Sequence, residues 1–245
     1  MVGDMNNNDT KRGASQTQQK DKPIRLYRYM GHRAAIRTIQ ARGFRVSRIL
    51  GLNDPFEYSF GYEDIPAHEI KKALTERDDL RRFLNERFGV LCYSRSAHDP
   101  VLWSHYADHH RGIVFEVECT PEEVKKELIK INYSRERVCV PFACHKDRVQ
   151  NLEKLRRIFT KMIRRKAPNW RYEREYRGVF DLRTCETRDG DYVWIPPKDF
   201  IKRVIIGIRS PMSPLCIRRT LDLNGFTATV VVKAKESYNK YKIEF

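Results

Sequence analysis

Short apolar runs alternate with charged segments along the chain. In IRLYRYM (24–30), Ile24, Leu26 and Arg28 fall on one side and Tyr27 and Tyr29 on the other, the two-residue period of a strand. HRAAIRTIQAR (32–42) has helical spacing and ends at Gly43, a C-cap residue. FRVS (44–47) reads as a second short strand. LNDPFEY (52–58) reads as a loop, because Asn-Asp-Pro favours a turn and the residue before Pro55 is pushed out of the helical region. Ile70, Leu74, Leu80, Phe83, Leu84 and Phe88 predict a helix over 66–88, and VLCYS (90–94) a strand.

Asp99 before Pro100 starts a short helix. RGIVFEVE (111–118) is a strand with Ile113, Phe115 and Val117 on one face. Thr120, Pro121 and Glu123 form a capping-box pattern. A long amphipathic helix is predicted over 148–166, its stripe made by Val149, Leu152, Leu155, Phe159, Met162 and Ile163. Strands at 175–182 and 191–195 would form a hairpin around Arg188-Asp189-Gly190. KRVIIGI (202–208) is a buried strand, Ser213-Pro214 opens a helix that stops at Asn224-Gly225, and FTATVVVKAK (226–235) is the last long strand. The strands are too irregularly spaced for a doubly wound fold, so the pattern predicts one mixed α+β domain over 23–245. Residues 1–22 lack apolar periodicity and are expected to be a disordered tail.

Composition adds a strong bias. The 245 residues carry 48 Lys and Arg against 32 Asp and Glu, a net charge of +16. Such a field favours polyanionic partners. The tail contributes little. Residues 145–177 hold twelve Lys or Arg and four Asp or Glu, which is half of the net charge. Trp170, Tyr172 and Tyr176 interleave with these cations, as base-stacking surfaces require. Arg164, Arg165, Lys166, Trp170, Arg171 and Arg174 are therefore the candidate nucleic-acid contacts. The six cysteines include no CxxC, and the cluster Cys139, Cys144 and His145 matches no common zinc spacing, so no metal is expected. No run is long and apolar enough for a membrane span, and no signal-type segment opens the chain, which points to the cytoplasm.

Four stretches combine with the C-terminal IIGI (205–208) and VVVKAK (230–235): LYRY (26–29), LNDPFE (52–57), LCYSRS (91–96) with WSHYADHHRGIVFEVE (103–118), and WRYEREYR (170–177). Together they resemble the bacterial DUF2971 family of unknown function over residues 25–245. Their order is also similar to that of the ADP-ribosyltransferase fold, a split, mostly antiparallel sheet with flanking helices that grips NAD in a cleft. This resemblance implies a cofactor-binding Arg28 on the first strand, Ser94 on the second core strand, and a catalytic Glu175 completed to E-x-E by Glu173. Tyr27, Tyr29, Tyr93 and Tyr106 would line the NAD site. It further implies transfer of ADP-ribose to an anionic target, RNA or DNA, by a toxin or phage-defence effector with a neutralising antitoxin.

Other readings of the same residues stay open. Glu173 and Glu175 lie between Arg171, Arg174 and Arg177 and suit plain ion pairing. They share a face only if 172–178 is a strand, since two helical positions that far apart diverge by about 200°. Arg28 suits a structural cation bonded to the Asn53-Asp54 loop, and Ser96 fits almost as well as Ser94. His105 and His109 share a helical face without an evident third ligand, and a Cys92–His105 nucleophile lacks a recognisable motif. A non-enzymatic nucleic-acid-binding protein and an NAD glycohydrolase are the competing functions.

Overall fold

The computed structural model describes residues 22–142 and 152–245, with side chains outside 152–156. The helices are α1 (His32–Gln40), α2 (Ile70–Arg87), α3 (Pro100–Tyr106), α4 (Pro121–Glu127), α5 (Leu152–Arg164) and α6 (Pro214–Leu223). The main sheet holds β1 (Ile24–Met30), β2 (Ser47–Arg48), β3 (Phe88–Ser94), β4 (Ile113–Cys119), β5 (Ile129–Lys130), β6 (Glu175–Asp181), β7 (Ile201–Ile206) and β8 (Val230–Lys233). Its order is β8-β7-β4-β1-β3-β6-β5, with β2 also beside β3. Every pair is antiparallel except β7–β8. The mixed α+β class is therefore as the sequence pattern predicts.

The pairing is uneven. β1 and β4 stay in register from Ile24↔Cys119 to Met30↔Ile113, and β3 and β6 from Glu175↔Ser94 to Asp181↔Phe88. β1 and β3 share one bridged pair, Tyr27↔Ser94. Two well-zipped halves thus meet at a seam held by little backbone bonding.

Both faces of the central strands are covered. Leu26, Phe115, Val117, Val204 and Ile206 pack against Ala35 and Ile39 of α1 and Ile217 and Leu221 of α6. On the other face Val114 and Ile205 pack against Trp103 of α3. A third cluster joins Tyr58, Phe60, Leu84 of α2, Val90 and Met162 and Ile163 of α5. The predicted caps form: Thr120 and Glu123 close the capping box, and the Asp99 and Ser213 side chains accept from the backbone N–H groups of Val101 and Cys216.

Several expectations are corrected. The hairpin at Asp189-Gly190 has arms 186–188 and 191–194, and both turn residues take positive φ, as a tight two-residue turn needs. Its predicted first arm, β6, pairs with β3 and β5 instead. A 3-10 turn at Leu182–Thr184, capped by Asp181, ends β6 before the hairpin begins. FTATVVVKAK is not one strand. Only 230–233 joins the sheet, and 235–236 starts a separate antiparallel ladder with 243–244. FRVS divides at Val46, with Phe44–Arg45 pairing 193–194 and Ser47–Arg48 pairing 89–90. On α2, Ile70, Leu74 and Phe83 of the predicted stripe are exposed, while Ala73 and Leu84 face inward. The helix predicted over 148–166 ends at Arg164, because Arg165–Lys166 runs extended beside Asn132–Tyr133. Val149, Cys144, His145 and all of the predicted tail except Lys22 lie outside the described residues. No helix among the described residues is long and apolar enough to cross a membrane.

Phe115 is fully buried and meets Phe44 edge-on with centroids 5.6 Å apart. Phe115→Ala is expected to cost about 3–5 kcal/mol, read as a lower urea midpoint with an unchanged slope.

Candidate functional site

At the seam between β1 and β3 the two halves leave a cleft of about 200 Å³. Its lining includes all eight residues expected at the NAD site: Tyr27, Arg28, Tyr29, Tyr93, Ser94, Tyr106, Glu173 and Glu175. Strand register explains much of this. Tyr27, Ser94 and Glu175 are cross-strand neighbours on β1, β3 and β6. Tyr106 arrives from the last turn of α3.

The local backbone around the glutamates differs from the expected strand over 172–178. Pro168–Glu173 is a 3-10 helix, Arg174 takes a left-handed conformation at φ 46°, and the strand begins only at Glu175. Sharing a strand face is therefore not what unites the carboxylates. A common cation does. The Lys166 Nζ lies 2.6 Å from Glu173 Oε2, 3.3 Å from Glu175 Oε2 and 3.0 Å from Glu57 Oε1. Arg177 Nε donates to Glu175 Oε1 at 2.5 Å, its terminal nitrogen to Glu175 Oε2 at 2.8 Å, and it also pairs with Glu57. The backbone there is fixed as well. Ser94 Oγ donates to the Glu173 carbonyl at 2.6 Å, and the Glu175 N–H donates to the Tyr133 hydroxyl at 2.9 Å.

All five charged side chains are buried. Three carboxylates face two cations, so the cluster is one negative charge in excess when fully ionised, and the excess settles on Glu173. Burial, with Glu175 nearby, pushes the Glu173 carboxyl up to about 7 despite Lys166 and the hydrogen bonds from Lys166 and Tyr106. Burial also acts to raise Glu175, but the charge and hydrogen bonds of Arg177, then Lys166, carry it down to about 2. Burial acts to lower the Lys166 ammonium, and Glu175, Glu57 and Glu173 more than reverse it. Two carboxylates separated by one residue thus differ in ionisation because their partners differ. The Tyr106 hydroxyl donates to Glu173 Oε1 at 2.5 Å, and burial beside Glu173 raises its own pKa.

Arg28 has a different environment. Its guanidinium donates to the carbonyls of Cys92 at 3.0 Å and Arg45 at 3.1 Å, so it does not bond the Asn53-Asp54 loop. It stands over the rings of Phe44 and Tyr93. Among the described residues no carboxylate pairs with it, its Nε is buried without a partner, and burial lowers its pKa. A buried cation facing a cleft without a counter-charge is suited to an anionic ligand.

Sequence reasoning missed Glu57, and it named Arg177 only as one of three arginines in the plain ion-pairing reading, of which Arg177 does pair with Glu175. Glu57 ends LNDPFE, one of the stretches that carry the resemblance, and that was the available signal. The alternation of Arg177 with Glu175 on β6 places both inside. Lys166 was expected to contact nucleic acid and is instead the buried centre of the cluster. Trp170 is half-buried, with Lys166 Nζ 4.7 Å from its ring centroid. Arg165 donates to the Glu136 carbonyl at 3.0 Å. Arg164, Arg171 and Arg174 are exposed, as a polyanion contact requires. Burial pushes the Cys92 thiol up, opposite to what a nucleophile needs, and His105 bonds Tyr172 at 3.0 Å. Among the described residues no group of His, Cys, Asp and Glu is arranged to hold a metal. Comparison with protein-family models, curated proteins and solved structures gives no match.

The opposed carboxylates have opposed pH effects on stability. With Glu173 at about 7 against an ordinary 4.5, the folded state keeps a proton that the unfolded chain releases between those values. Its contribution therefore falls as pH rises through that window and is level above it. Glu173→Gln should remove this fall, so its urea midpoint gains on the parent between about pH 4.5 and about pH 7. Glu175 contributes stability above its ordinary 4.5 and loses it as pH drops towards about 2. Glu175→Ala should cost about 3–5 kcal/mol at neutral pH by stranding Arg177 and Lys166.

Proposed function

We propose that the chain is a cytoplasmic ADP-ribosyltransferase of the kind its motif order implies. It cleaves the nicotinamide–ribose bond of NAD and passes ADP-ribose to RNA or DNA. The observation that carries this reading is the pair of carboxylates in one cleft, one held ionised and one poised near neutrality. The resemblance to the ADP-ribosyltransferase motif order supplies the choice of NAD.

The chemistry follows from those roles. The bond between ribose C1′ and the nicotinamide nitrogen breaks, and its electron pair leaves with nicotinamide, quenching the pyridinium charge. Positive charge then develops on the ribose. Glu175, fixed and ionised, offsets it in a water-poor site. The acceptor oxygen or nitrogen bonds to C1′ and gives its proton to ionised Glu173, which a carboxyl near pH 7 can take up. Arg28 holds a phosphate of the pyrophosphate, and Tyr29 or Tyr93 packs on the nicotinamide ring. The cleft is smaller than the roughly 300–1,000 Å³ typical of sites for whole ligands. It suits the nicotinamide riboside end, with the rest of NAD lying outside. Arg164, Arg171 and Arg174 supply the positive field for a nucleic-acid acceptor. Such an enzyme fits a toxin or phage-defence effector held in check by an antitoxin.

The small cleft also favours a second reading, in which water is the acceptor and the chain is an NAD glycohydrolase. Incubation with NAD labelled in its adenylate phosphate, alongside separate RNA, DNA and protein pools, tests both. Label in a nucleic-acid pool, lowered at least about 100-fold in Glu175→Gln, is the expected outcome. NAD loss without transfer selects the second reading. Neither transfer nor NAD loss removes the enzyme and leaves a nucleic-acid-binding protein. In Glu173→Gln the limb of the pH–rate profile near 7 should disappear while the fold remains.

A further inference from the structure

Away from the cleft, residues 235–236 and 243–244 form an antiparallel ribbon closed by the loop Ser237–Lys242, S-Y-N-K-Y-K. Its base is rigid. Ile243 is buried, its N–H donates to the His98 carbonyl at 2.9 Å, and its carbonyl meets His98 Nδ1 at 2.7 Å. Phe245 stacks on His98 with centroids 5.0 Å apart and planes 3° from parallel. The Ser237 N–H donates to the Lys242 carbonyl, and its hydroxyl to Glu244.

The tip is the opposite. Tyr238 and Tyr241 have relative exposures of 105% and 103%. Tyrosines ordinarily bury large areas when they pack. Two fully bare rings on a braced tip present flat faces to solvent. Between this tip and Pro100, Ile208 and Arg209 runs an open groove of about 590 Å³. Arg209, Lys240 and Lys242 line it with a net positive charge against the single carboxylate of Glu236.

We infer that this hairpin is a docking site for single-stranded nucleic acid, with bases stacking on Tyr238 and Tyr241 and phosphates following Arg209, Lys240 and Lys242. Exposed aromatics beside cations on a strongly basic protein are what sequence-tolerant strand binding uses. A duplex keeps its bases stacked internally and offers these rings nothing. The placement also connects the hairpin to the cleft. His98, which braces the ribbon, lies four residues after Ser94, and Pro100 opens the helix that carries Tyr106. The purpose of the site, presenting an acceptor strand, rests on the proposed transfer reaction, but binding does not.

The test is anisotropy of fluorescent oligouridylate and oligothymidylate of about 12 nucleotides, titrated with the full chain at several salt concentrations and without NAD. The parent should bind both with a steep salt dependence. Tyr238→Ala with Tyr241→Ala should weaken binding roughly tenfold or more, while the double Phe variant keeps it. Lys240→Gln with Lys242→Gln should flatten the salt slope. Unchanged affinity in the double Ala variant, or equal loss in the double Phe variant, overturns the proposal. So does a tyrosine-dependent association with phosphatidylserine vesicles alongside tyrosine-independent oligonucleotide binding. Tyrosine-dependent binding without label transfer from NAD would sink the transfer reading and leave this site standing.

Discussion

Three buried carboxylates sharing two buried cations are the constraint on which the rest of the cleft depends. Glu57 comes from a loop, Lys166 from the segment after α5, Glu173 from a 3-10 turn, and Glu175 and Arg177 from β6. Segments distant in sequence must therefore arrive together before the charges are satisfied. Taking five ions out of water costs several kcal/mol each, and a well-packed apolar cluster of equal volume would do as well or better for stability alone. The arrangement makes most sense as a device that fixes ionisation. It keeps Glu175 charged at any physiological pH and leaves Glu173 with the surplus.

The surrounding structure serves that device. β1 and β3 meet through a single bridged pair, and Arg28 of β1 reaches across to the Cys92 carbonyl of β3 and to the Arg45 carbonyl. One apolar cluster crosses beneath the seam, joining Leu26 of β1 and Phe115 of β4 to Leu91 and Tyr93 of β3, so the backbone pairing at the seam does not have to hold the halves together alone. Polar groups can therefore face the seam without weakening a core.

Much of this was legible in the chain. Period-two patterning placed β1, β3 and β4, and the caps at Asp99, Thr120 and Ser213 placed three helix starts, because these signals are local. The motif order gathered eight residues that prove to line one cleft. What stayed hidden depended on tertiary pairing. Lys166 looked like a surface cation because its neighbours in sequence are Arg164 and Arg165. Only the extended turn at 165–166, paired with 132–133, points it inward. Glu57 looked like loop chemistry because its partners lie over one hundred residues away. The split of FTATVVVKAK followed from competition between two ladders, and no local propensity decides such a contest. Tyr238 and Tyr241 of the C-terminal ribbon lie past the last predicted strand, where no local pattern singled them out.

The single bridge between β1 and β3 also bears on how such a protein could diversify. The cleft is lined by side chains from both strands, among them Arg28, Cys92 and Tyr93, and Tyr93 also belongs to the apolar cluster beneath. Substitutions at the half-buried Tyr106 can reshape what enters, whereas one at Tyr93 must also repack the core. Change in what the cleft admits is therefore easiest at lining positions outside the apolar cluster, which leave the core as it is.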